Sequence, residues 1–77
     1  MASNRTYFCR TEAGQVVGDL VDKKFQMRVN KELRLSAFAQ AQAQAVILNE
    51  RIIVIRTTDN AEMYGTTREL VLNALRS

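Results

Sequence analysis

Four consecutive β-branched residues, Ile52-Ile53-Val54-Ile55, constrain this chain more than any other stretch. Successive side chains of a strand point to opposite faces, so an unbroken apolar run leaves neither face for water. Such a strand belongs inside a sheet and is covered on two sides. The sequence predicts a strand over Arg51 to Thr57, ended by the turn cluster Thr58-Asp59-Asn60.

The flanking segments must supply that cover. Thr6, Tyr7, Phe8 and Cys9 favour an extended backbone and predict a strand from Arg5 to Thr11. One of the adjacent rings Tyr7 and Phe8 has to face away from the core. Glu12-Ala13-Gly14 reads as a hairpin turn, with Gly14 free to take positive φ. Gln15 to Val21 is then the return strand. A helix competes there through Val16, Val17, Leu20 and Val21, but Gly14 and Gly18 each cost a helix about 1 kcal/mol.

A second hairpin follows. Phe25, Met27 and Val29 alternate with Gln26 and Arg28, and Leu33 and Leu35 flank Arg34. A three-residue loop, Asn30-Lys31-Glu32, sets Val29 opposite Leu33 and Met27 opposite Leu35. A two-residue loop sets Val29 opposite Glu32 instead. The apolar pattern favours the first, since a one-residue slip turns a face over.

Ser36 stands where a helix N-cap is wanted. Ala37 to Asn49 is rich in alanine and glutamine, which favour helix over strand although the Ala-Gln repeat has period two. Phe38, Ala41, Ala45 and Leu48 fall on one helical stripe. Ala61 to Gly65 allows a short strand. Thr66-Thr67-Arg68-Glu69 matches a capping box with Thr66 as cap, opening a helix with Leu70, Val71, Ala74 and Leu75 on one side.

The fold class is therefore α+β: an antiparallel meander of about four strands, then a helix, one or two strands and a short C-terminal helix. A small SH3-like or Sm-like barrel with added helices is the alternative architecture for the four strands. With 77 residues and no proline-rich linker, one domain spans residues 1–77. A chain of this size buries roughly 60% of the surface its unfolded form exposes. Cys9 is its only cysteine, so no internal disulfide staples it, and association, including homo-oligomers, is the remaining aid to stability.

Composition narrows the chemistry. Histidine is absent, which removes Ser-His and Cys-His pairs and any His-containing metal set. Cys9 has only Arg10 nearby to activate it and reads as a small core residue. Asp19 with Asp22, and Asp59 with Glu62, read as solvated charges, since general acid–base work needs a cleft that shifts their pKa values. Gly14, Gly18 and Gly65 lack the spacing of a phosphate loop. No enzyme, cofactor or metal is implied.

Charge supplies the candidate site. The net charge of +3 arises entirely before residue 40. Lys23, Lys24, Arg28, Lys31 and Arg34 lie within twelve positions, opposed only by Glu32. With the three-residue loop, Arg28 and Arg34 share the outer face of the hairpin. That face suits a protein partner with an acidic surface, and alternatively the phosphates of a nucleic acid. On the helix, Gln40, Gln42 and Gln44 offer polar contacts, and the small alanines permit close approach of a second copy.

The expected function is a small non-enzymatic binding module acting by protein–protein contact, the size of many accessory or inhibitory proteins of phages and mobile elements. A nucleic-acid-binding domain using the hairpin over 23–34 and a self-assembling structural subunit are the alternatives. No apolar run is long enough to span a membrane. A single cysteine and an N-terminus without an export signal lead one to expect the cytoplasm.

Overall fold

The computed structural model describes residues 6–21, 27–29, 32–34 and 36–76. The elements run β1 (Tyr7–Thr11), β2 (Val16–Val21), β3 (Met27–Val29), β4 (Glu32–Arg34), α1 (Ala37–Leu48), β5 (Ile52–Arg56), β6 (Ala61–Thr66) and α2 (Arg68–Arg76). The fold is α+β. Residues 16–21 are strand, and Gly18 within them takes φ +74°, which no helix accommodates.

The sheet is assembled from different strands than a consecutive meander would use. Four strands form one antiparallel sheet in the order β2-β1-β5-β6, and β3 and β4 form a separate two-stranded sheet. The reason lies in β5. Ile52, Ile53, Val54 and Ile55 are all at most 3% exposed. A strand apolar on both faces is best placed between two others, and β1 and β6 flank it. The sheet is open rather than a closed barrel, with β2 and β6 as its edges.

Helix α1 lies across one face of this sheet and touches all four of its strands. Its buried residues are Ala37, Ala41 and Ala45, against Tyr7, Cys9, Ile52 and Val54. Small side chains let the helix sit close to the strands. The expected stripe is thus shifted by one turn. Ala37 is inside, Phe38 is half-buried with its ring 4.2 Å from that of Tyr64, and Leu48 stays 40% exposed.

The ends of α1 follow local rules. Ser36 has extended backbone, and its Oγ accepts from the Ala39 N–H at 3.2 Å. Asn49 closes the helix in the left-handed region at φ +54°. Helix α2 departs from the expected cap. Thr66 is the last residue of β6 and is buried, so Thr67 takes the role: its Oγ1 accepts from the Leu70 N–H at 3.3 Å.

Both sheet edges are irregular. The β1–β2 register slips between Tyr7 and Cys9, and the β5–β6 register slips between Val54 and Ile55. Bulged edges resist pairing with another chain.

Candidate interaction surfaces

The basic hairpin is the first sequence-derived candidate. Lys23, Lys24 and Lys31 lie outside the described residues, while Arg28 falls in β3 and Arg34 in β4. The observed register pairs Met27 with Arg34, Arg28 with Leu33 and Val29 with Glu32. This is the two-residue connection, not the three-residue one that the apolar alternation favoured. Paired residues of an antiparallel ladder share a face, and neighbours along a strand alternate. Arg28 and Arg34 therefore hold register positions on opposite faces. Electrostatics explains the choice: the three-residue loop sets Arg28 directly opposite Arg34, and like charges in that position destabilise a strand pair. In this register Arg28 and Arg34 do not stand opposite one another, as the three-residue loop would have had them.

Cys9 is the only thiol, and it is fully buried. Its Sγ donates to the Ala37 carbonyl at 3.2 Å, joining β1 to the start of α1. Burial pushes the thiol up to about 11, away from the thiolate that nucleophilic chemistry needs. Cys9 is a core residue.

Among the candidate carboxylates, Asp59 sits in a structural role. Asp59 takes both Arg56 Nε at 2.9 Å and Arg56 Nη2 at 2.6 Å, and accepts from the Ala61 N–H. The bond to the Arg56 guanidinium is the main reason its carboxyl is held down to about 2. Such a group stays ionised at neutral pH and cannot serve as a proton donor. It pins the β5–β6 turn, where Asn60 has φ +56°. Among the described residues, no group of histidine, cysteine or carboxylate side chains is arranged to hold a metal ion.

Two glutamines of α1 make hydrogen bonds to the sheet. Gln40 Oε1 accepts from the Asp19 N–H at 2.7 Å, and Gln42 Nε2 donates to the Tyr64 hydroxyl at 3.3 Å. The buried alanines are used against the sheet. Gln42 and Ala43, by contrast, are exposed.

Apolar exposure marks a surface that the sequence reading did not single out. Among the described residues, Val16, Leu20, Ile47, Leu48, Leu70 and Leu75 are large apolar side chains left open to solvent. Four of them lie on α2 and the last turn of α1. Helix α2 packs on α1, yet none of its nine residues is buried, and Leu70 and Leu75 are 57% and 77% exposed. An open cleft of about 270 Å³ lies between the end of α1 and α2, lined by Asn49, Arg68, Glu69, Leu72, Asn73 and Arg76. The signal for the apolar surface was present in the sequence: the stripe Leu70, Val71, Ala74 and Leu75 on a nine-residue helix. Periodicity shows that a stripe exists, not whether anything covers it.

Among the described residues, no helix is long and apolar enough to cross a membrane. Comparison with known proteins finds no match, whether among family models, curated proteins or solved structures.

Proposed function

We propose that this chain is a non-enzymatic binding module that occupies a surface on another protein, through the apolar side of α2. One observation carries the reading: an amphipathic helix packs on the domain without burying any of its residues. A nine-residue helix is too short to be stable by itself in water, so its order depends on packing. Leaving Leu70 and Leu75 exposed forgoes burial energy of about 1.5–3 kcal/mol per fully buried leucine. A partner that covers the stripe recovers it. The same side chains favour self-association when no partner is present.

The test is site-directed crosslinking in the source cell, with a photoreactive residue placed at position 70 or 75, and at position 62 as control. The expected result is one protein species crosslinked from 70 and 75 but not from 62. The variant Leu70→Glu/Leu75→Glu should lose that partner and remain monomeric in sedimentation equilibrium. Retention of every partner by this folded variant refutes the reading.

A further inference from the structure

We infer that the segment bound by α2 carries an acidic side chain among apolar ones, and that this carboxylate seats between Arg68 and Arg76. The inference rests on the contact proposed for α2 and names the chemistry of its occupant. The engagement of the arginines carries it. Arg10 donates to the Thr11 carbonyl at 3.0 Å, Arg51 pairs with Glu12 at 3.2 Å and Arg56 pairs with Asp59 at 2.6 Å. Arg68 and Arg76 pair with no carboxylate among the described residues, and both line the same cleft beside the end of α1. Arg68, Leu72 and Arg76 recur every four residues and so share one side of α2. Glu69 is the only acid in the cleft lining, which leaves one positive charge uncompensated.

The surroundings are apolar. Exposed Ile47 and Leu48 end α1 just before Asn49 of the cleft, and exposed Leu75 precedes Arg76. A wholly apolar partner covering this surface would take water from two guanidinium groups and give nothing back, which is costly. A basic partner would be repelled. A carboxylate accepts from guanidinium groups through short, charge-assisted bonds, while its apolar neighbours cover the leucines. The cleft, at about 270 Å³ and open, is smaller than the roughly 300–1,000 Å³ of small-molecule pockets and fits a side chain of a larger partner.

Random-peptide display against the full chain supplies the probe. Selected peptides should carry Asp or Glu among Leu, Ile or Phe, and selection against Arg68→Glu/Arg76→Glu should yield Lys or Arg in its place. In fluorescence anisotropy, Arg68→Gln and Arg76→Gln should each weaken a selected peptide about two- to five-fold, the worth of an exposed ion pair. Replacing the peptide's carboxylate by its amide should weaken binding to the parent likewise, which keeps the test decisive if circular dichroism shows an arginine variant unfolded. Leu70→Gln/Leu75→Gln, which adds no charge, should abolish binding. Selection of apolar peptides without an acid, or affinity indifferent to the arginines and to the peptide carboxylate, overturns the inference and leaves the α2 contact standing. Binding indifferent to Leu70→Gln/Leu75→Gln, or no peptide selected at all, overturns both. Tighter binding of a mixed-sequence DNA duplex than of any selected peptide, lost on Arg68→Gln, assigns the cleft to phosphate and overturns the inference as well.

Discussion

Gly18 is the position where a single methyl group tests the packing of the whole domain. Its φ is +74°, and a Cβ built there would overlap Gln40 Oε1. That oxygen accepts from the Asp19 N–H at 2.7 Å, one of the ties between α1 and the β2 edge. Gly18→Ala therefore carries two costs. Holding alanine in the left-handed region costs about 1–2 kcal/mol. Displacing the Gln40 amide forfeits a hydrogen bond of about 0.5–1.5 kcal/mol. The sum, about 1.5–3.5 kcal/mol, is a large fraction of the stability of a domain this small. It should lower Tm by about 10–20 °C. Two companion variants separate the terms. Gly14 has φ +97° with nothing within 4 Å of an added Cβ, so Gly14→Ala should show the backbone cost alone. Gln40→Ala removes the Gln40 amide without the backbone cost at position 18. In the double variant Gly18→Ala/Gln40→Ala the second substitution should cost less than it does in the parent, because it also relieves the clash. Urea unfolding of the parent, the two single variants and the double variant measures that coupling. A Gly18→Ala variant within about 0.5 kcal/mol of the parent, the ordinary range for a surface change, refutes the assigned contact.

Three further outcomes are expected. Ile52→Ala removes a fully buried side chain of a central strand and should destabilise by about 2–5 kcal/mol; an unchanged denaturation midpoint contradicts the β1-β5-β6 assembly. The Cys9 thiol should react with a disulfide reagent only on unfolding, and stability should fall as pH rises between 9.0 and about 11, because the folded state holds the proton more tightly than the unfolded one; Cys9→Ser should abolish that alkaline slope without loss of partner binding, since the residue is buried away from any surface. Asp59 titrates lower in the folded chain, so its contribution is present above 3.8 and is lost as pH falls towards about 2; Asp59→Asn should flatten the acid limb of thermal melts recorded over that window, and an unchanged limb contradicts the Arg56–Asp59 pairing.

The order of elements was legible in the sequence because each is announced by neighbours a few residues away. Ser36 caps α1 through an N–H three residues on. Asn49 ends it through its own tolerance of positive φ. Gly14 and Gly18 mark β2 as strand by what they cost a helix, and four β-branched residues mark β5 as interior. Burial of Cys9 was legible too, since a lone thiol without a base beside it has packing as its simplest use.

Tertiary structure decided everything that depends on choosing among equivalent local solutions. Thr66 and Thr67 suit a helix cap equally well, and pairing of Thr66 with Ile52 in β6 left Thr67 for the cap. The first four strands suit a meander, but β1 pairs through its second edge with β5, and β3 and β4 pair with each other in a separate sheet. The hairpin register departs from apolar alternation, and the observed pairing keeps Arg28 from standing opposite Arg34 across the ladder. A helix stripe records only that one side is apolar; whether Leu70 and Leu75 are covered depends on where the sheet and α1 end in space. Propensity and capping act over a turn or two of chain, whereas strand partners, registers and exposed faces are set by contacts between residues far apart in sequence. For those contacts, burial and charge are minimised for the assembly as a whole.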